Sequence, residues 1–366
     1  MTDLAGAVTM TLVEEFGPEE LLRRLSDPWW FQAFGCLLGF DWHSSGVTTV
    51  TCGALKEATK KYGDACGIIA AGGKGRASRK TPDEIRTAAD RLSVAGGEKL
   101  VYASRMSAKV DSAAVQDGFA VYHHSFFFTR DGKWCVVQQG MDEASGWARR
   151  YHWLGEDMDD FVCEPHEAIQ NLSEGVTPRA SGQQSLLNMV AEEADSNRTA
   201  TASLILENPD WVMDEMKRVT QGPTLFAPER HPIMASDVDL GRLRKIVVAA
   251  HEEAPEDFET LLGTRGVGPA TIRSLVLLAE IIFKAPVSRR EPNCTNQNLP
   301  QREVSDPQWA DYAYAHGGKD GTPFPVDCST YDQSIFVLVE ALRRAKLGEN
   351  EKMNALKRLA RISKSV

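Results

Sequence analysis

One stretch of the chain concentrates side chains able to do chemistry. Asp111, Gln116 and Asp117 lead into His123 and His124; Gln138 and Gln139 follow beyond a turn, and Arg149, Arg150 and His152 close the group. Carboxylates and imidazoles ligate divalent cations, and such a cation activates water and holds a phosphate. Asp111, Asp117 and His124 are therefore the expected ligands, for Mg²⁺ or Mn²⁺ ahead of Zn²⁺. Arg149 or Arg150 would neutralise charge developing on a scissile phosphate. The alternative is a set of buried polar side chains that hydrogen-bond strands together. The element that must position them is a β-hairpin. Residues 119–129 and 133–141 are aromatic and β-branched, and Arg130-Asp131-Gly132 supplies the turn. Alternate strand residues face alike, so one of His123 and His124, and one of Gln138 and Gln139, can share a pocket.

A second candidate lies at 258–273. A short helix, the turn Arg265-Gly266-Val267-Gly268 and a helix opening at Pro269 resemble the helix-hairpin-helix module of DNA-repair proteins. Glycines let the backbone approach a phosphate closely, and amides at the second helix's start point at the anion. Arg265, Thr271 and Arg273 join Gly266, Val267 and Gly268 as expected DNA contacts, holding the backbone with little base information. The alternative is an ordinary helix–helix turn. From 265 to 302 there are six Lys/Arg (265, 273, 284, 289, 290, 302) against two acids (280, 291), in a chain whose net charge is −10. Base-excision glycosylases that use this hairpin place a catalytic Asp about twenty residues later. Here Ala285 to Arg290 contains no acid, which points to a grip on DNA and away from glycosylase chemistry.

Three further clusters are candidates. Lys74, Arg76, Arg79 and Lys80 sit in a glycine-rich loop before a helix that starts at Thr81-Pro82, suited to phosphate though without Walker A spacing. Thr81 with Glu84 reads as a capping box. Asp41 and His43 form a polar cluster on an apolar background. His316, Lys319 and Asp320 lie in a Gly- and Pro-rich loop. The hairpin group also loosely resembles metal-dependent nucleases with an Asp…Glu-x-Lys site, but Gln stands where Glu is expected and Gly140 and Met141 where Lys should be.

The rest of the chain frames these sites. Its 366 residues predict two domains or three, and 42% hydrophobic with 25% charged residues excludes disorder throughout. The acidic balance excludes a simple polycation that coats nucleic acid, so any DNA contact must use a local basic patch. The longest apolar segment, 274–283, carries Glu280 and falls short of a membrane span, which takes about 18 residues. The N-terminus lacks the basic start of a signal peptide. Seven widely spaced cysteines with no CxxC pair argue against a disulfide framework and for a reducing cytoplasm. The expected fold class is α+β. A mixed domain with a small sheet spans 1–171, a polar linker 172–201, and a helical domain with the DNA grip 202–366. Helices are expected at 55–62, 83–93, 238–252, 257–262, 269–283, 331–346 and 350–363, with a short one at 186–193 inside the linker and a buried strand at 67–71.

Side by side, several segments identify a family resemblance over nearly the whole length: residues 25–36, 39–46, 73–82, Ala108 to Asp111, Gln116 to Gly118, Val137 to Met141, Ala148 to Trp153 and Ala315 to Gly321. They are similar to the prokaryotic domain-of-unknown-function-763 family. Its members usually carry an extra N-terminal segment ahead of the region matching Val13 to Phe16, so a ligand or dimer contact from that segment is expected to be missing here. The functional expectation is a metal-dependent DNA nuclease or repair factor that hydrolyses phosphodiesters. The competing class is a non-catalytic DNA-binding protein, as a homodimer or a monomer. A third is an enzyme on a nucleotide or other phosphorylated small molecule, using loop 74–80.

Overall fold

The computed structural model describes residues 1–40, 46–94, 96–143, 146–156, 158, 160–171, 186–220, 239–292, 312–315 and 324–363. Asp41, His43, His316, Lys319 and Asp320 lie outside them. The architecture is α+β, built round a five-stranded antiparallel sheet in the order β1-β3-β4-β5-β6. The strands are β1 (Ile69–Lys74), β3 (Ala120–Phe128), β4 (Trp134–Asp142), β5 (Trp147–Leu154) and β6 (Ala168–Asn171). The β3–β4 hairpin forms as its turn chemistry requires. Gly132 takes φ 87°, and the Thr129 amide donates to the Lys133 carbonyl at 2.9 Å. Two-residue strands β2 (Val115–Gln116) and β7 (Leu187–Asn188) pair with each other, as do β8 (Tyr312–Ala315) and β9 (Phe324–Asp327).

Each sheet face is covered by helices, and the strand alternation decides which residues meet them. Phe127, Cys135 and Val137 face a cluster with α1 (Thr2–Phe16), α2 (Pro18–Ser26), α3 (Pro28–Leu38) and α4 (Gly46–Tyr62). The last helices, α12 (Cys328–Arg344) and α13 (Glu349–Ser363), add Leu338, Leu342 and Leu359 to that cluster. Phe126, Phe128, Val136, Tyr151 and Trp153 face the other way, toward α5 (Thr81–Leu92) and α6 (Gly97–Lys109). That cluster continues through α7 (Asp195–Leu206), α8 (Pro209–Thr220), α9 (Leu240–Glu253), α10 (Phe258–Gly263) and α11 (Pro269–Phe283). Both clusters thus hold residues from before and after 172–201. Burying each Phe or Leu of this kind stabilises by about 1.5–3 kcal/mol.

Several local expectations differ from the structure. The helix expected at 55–62 begins at Gly46. Of the segment read as a linker, 172–185 lies outside the described residues. The helix expected at 186–193 is instead β7 followed by a single helical turn (Glu192–Ala194), and α7 starts at Asp195. Its polar side chains bond buried carbonyls. Asn197 donates to Val276 and Ala285, and Arg198 to Met189 and Ala191. A composition that reads as solvated is therefore internal wiring. The capping box at Thr81 does not form: Thr81 donates to the Ser78 carbonyl, while Glu84 accepts from the Gly72 amide and from Lys56. That latch places β1 against α5. At Gly72, with φ +89°, a Cβ would stand 2.2 Å from the His124 carbonyl oxygen and 2.6 Å from Thr81 Oγ1, so only glycine lets the strand approach so closely.

Candidate functional site

Helix α6 turns Ser104 and the Ser107 carbonyl toward the sheet, and a π-helical turn (Val110–Ala114) continues the same face to Asp111. Opposite them, His124 and Gln138 are direct cross-strand partners. These groups form one directional chain of hydrogen bonds. Gln138 Nε2 donates to Asp111 Oδ2 at 2.5 Å and to the Ser107 carbonyl at 3.2 Å. That leaves Oε1 to accept from His124 Nδ1 at 2.8 Å. The neutral ring therefore presents an unprotonated Nε2 to the Ser104 hydroxyl, 2.8 Å away. Asp111 also accepts from Trp153 Nε1 at 2.9 Å and meets His166 Nε2 at 2.5 Å. Burial lowers the His124 imidazole to about 4, which keeps it neutral near pH 7, and the same burial raises the Asp111 carboxyl.

The other expected residues fall into separate groups. Asp117 accepts from Arg149 Nη1 at 2.8 Å, Tyr151 at 2.7 Å and the Phe119 amide at 3.1 Å. Arg149 also reaches Glu291 at 3.1 Å and lies 4.7 Å over the Phe119 ring. Arg150 and His152 sit on the opposite sheet face, both fully buried. The Arg150 guanidinium donates to His152 Nε2, Gln32, Gln170 and the Pro28 carbonyl, with Phe31 beneath it. Neither arginine is therefore placed to meet a phosphate, a correction that follows from strand alternation and burial. His123, on the Arg150 face, is held by Ser125 at 3.0 Å, and burial lowers it to about 3. Gln139 donates to Tyr122. Gln116 ties β2 to the start of α11, donating to the Pro269 carbonyl and accepting from Arg273 Nε at 2.7 Å.

This arrangement does not suit the expected metal. The oxygens of Asp111 and Asp117 and both ring nitrogens of His124 are already engaged by protein groups, and a guanidinium sits on Asp117. Among the described residues no group of three or more His, Cys, Asp or Glu side chains is placed to hold a metal ion.

Ser104 and His124 line a cavity of about 730 Å³ between α6 and the α10–α11 turn. Arg79, Arg105, Lys109, Arg265 and Gly266 also line it, and no acidic side chain does. Arg79, Arg105 and Arg265 are exposed, and Glu98, its carboxyl lowered first by a hydrogen bond from Arg86, is near enough to Arg105 to be lowered by it too. Lys109 instead holds the turn, bonding the carbonyls of Thr264 and Val267. Gly266 takes φ +92°, and Gly268 precedes Pro269 at the start of α11 with no side-chain cap, leaving the first-turn amides without intrahelical partners. Thr271 is buried and Arg273 is engaged by Gln116, so the exposed part of the turn is Arg265 and Gly266. The other loop cations diverge. Lys74 lies 5.6 Å from the Tyr122 ring centre, Arg76 is exposed, and Lys80 lines a groove beside β1 that mixes Lys56, Arg91 and Arg130 with Asp64, Asp83 and Glu84. Sequence reasoning missed Ser104, Arg105, His166 and Trp153. The available signal was Ser104, Ser107 and Asp111, polar residues at spacings of three and four on an otherwise apolar face.

Fold and site together define an α+β protein whose sheet carries a buried polar chain opening on a cationic cavity. The chain belongs to the DUF763 family, described as proteins of unknown function, whose model matches residues 1–326. No curated protein and no solved structure matches it. No helix among the described residues is long and apolar enough to cross a membrane.

Proposed function

We propose that this protein binds DNA through its sugar-phosphate backbone, seated in the cavity between α6 and the α10–α11 turn. The observation that carries this reading is the lining: Arg79 from the glycine-rich loop, Arg105 from α6 and Arg265 from the turn converge on one concave surface free of carboxylates. In a chain of net charge −10, such a surface is a local attractor for a polyanion. Tyr102, exposed at the same cavity, is held by its hydroxyl on Glu259 and meets the Phe161 ring edge to face at 5.7 Å. Metal-dependent hydrolysis gains no support from the side chains expected to ligate the metal, so the proposal rests on binding.

Salt dependence tests it. Three phosphate-contacting arginines give a log–log slope of about −2.7 with duplex and about −2.1 with single strands. Raising salt fourfold, from about 50 to 200 mM, should therefore weaken duplex binding roughly 40-fold. Arg265→Gln should lower the slope by about 0.9, read by fluorescence anisotropy of labelled oligonucleotides. An unchanged slope in both Arg265→Gln and Arg105→Gln, or no binding in dilute buffer, removes the assignment.

A further inference from the structure

The cavity floor carries more than a grip. Ser104 Oγ lies 2.8 Å from His124 Nε2, and on the other side of the ring His124 Nδ1 lies 2.8 Å from Gln138 Oε1, the order of nucleophile, base and orienting acceptor. This is the geometry by which an adjacent base activates a serine, with a third group holding the ring in the required tautomer. Asp111 and the Ser107 carbonyl lock the Gln138 amide, so the ring cannot flip its proton pattern without breaking two bonds behind it. We infer that Ser104 is a nucleophile for phosphodiester transesterification, with His124 as its base and the cavity arginines holding the phosphate.

This inference rests on the backbone-binding reading above and adds the chemistry done there. In the first step, Ser104 Oγ attacks phosphorus, its proton passes to His124 Nε2, and the bond from phosphorus to the departing sugar oxygen breaks. The departing oxygen takes the proton from His124, leaving a phosphodiester between Ser104 and the retained strand. Water then attacks the same phosphorus with His124 again accepting a proton. The bond to Ser104 Oγ breaks, and the proton returns to Ser104. Protons and bonds balance with no other reactant. Arg79, Arg105 and Arg265 offset charge that accumulates on the phosphoryl oxygens as the fifth ligand enters. His124 and Ser104 are catalytic residues in this scheme; Gln138 and Asp111 are positioning residues.

The test uses the full chain and two labelled oligonucleotides, one with a 5′-bridging and one with a 3′-bridging phosphorothiolate, in buffer containing EDTA. Sulfur departs without protonation, which speeds the first step and leaves the attack of water unchanged, so the adduct builds up within a single turnover and is caught by acid quenching. The expected result is thiol release from one of the two together with a Ser104 peptide heavier by the fragment that keeps the phosphate, found by mass spectrometry. Ser104→Ala should abolish both while binding the intact oligonucleotide with wild-type affinity and salt slope. His124→Asn should slow thiol release at least a hundredfold. An oligonucleotide that binds but never yields the adduct overturns the nucleophile and leaves the grip standing. An oligonucleotide that does not bind in dilute buffer overturns the grip, and this inference with it.

Discussion

The Arg149–Asp117 pair is a charge pair taken out of water, and its removal should behave accordingly. The two side chains are 5% and 1% exposed, with Nη1 and Oδ2 2.8 Å apart. Arg149→Met leaves a buried carboxylate supported only by the Tyr151 hydroxyl and the Phe119 amide. Breaking such a pair from one side costs about 3–5 kcal/mol. The second contact of Arg149, to half-exposed Glu291, adds about 1 kcal/mol at most. Thermal midpoints move by about 2–4 °C per kcal/mol in chains of 150–250 residues and by less in longer ones, so a fall of roughly 5–10 °C is expected. The sharper signature is a change of sign. Asp117→Asn alone should destabilise, because Arg149 loses its buried partner. In the Arg149→Met background the same substitution removes the stranded charge while keeping an acceptor for Tyr151, and should recover about half of the loss. Guanidinium unfolding of the four proteins followed by circular dichroism measures the cycle. If Asp117→Asn destabilises equally in both backgrounds, the two charges are not coupled and the reasoning is wrong.

Acid should weaken the fold earlier than carboxylate protonation alone would. Burial holds His123 to about 3, His124 to about 4 and His152 well below its ordinary value, so all three stay neutral in the fold while the unfolded chain takes up protons below about pH 6.5. Stability then falls with pH. By pH 5.5 the loss from the three histidines reaches about 4 kcal/mol, while the carboxyl of Asp111, raised by burial, acts in the opposite direction. An unfolding free energy that stays flat from pH 7.5 to 5.5 contradicts this. Gly72→Ala should destabilise by about 3 kcal/mol or more, since its Cβ meets backbone, whereas Gly75→Ala, at φ +61° with open space, should cost about 1 kcal/mol. Equal melting points for the two variants would show that β1 shifts without penalty.

The legible part of this molecule is the part governed by local rules. The β3–β4 hairpin follows from a turn pair between β-branched runs, and the alternation that separates His123 from His124 brings His124 opposite Gln138. The α10–α11 segment was equally readable, because a glycine at positive φ and a proline at the first helical position mark its turn. Partner choice was not. His166 meets Asp111 across 55 residues and Trp153 meets it across 42, and no spacing rule reaches that far. The carboxylates looked like metal ligands because sequence displays an acid without displaying the donors aimed at it. Arg149 and Arg150 look interchangeable as neighbours, yet one strand step sends them into opposite clusters. Asn197 and Arg198 read as solvated and are buried against carbonyls.

Lys109 and Ser104 belong to one helix, five residues apart, and so are fixed about 7.5 Å from each other along its axis. Lys109 fastens the α10–α11 turn to that helix through two carbonyls. Any pull an occupant exerts on the turn is therefore delivered to a stiff shaft that also bears the serine hydroxyl. No slack lies between that turn and the hydroxyl, and the offset between the two is geared to the pitch of a single α-helix.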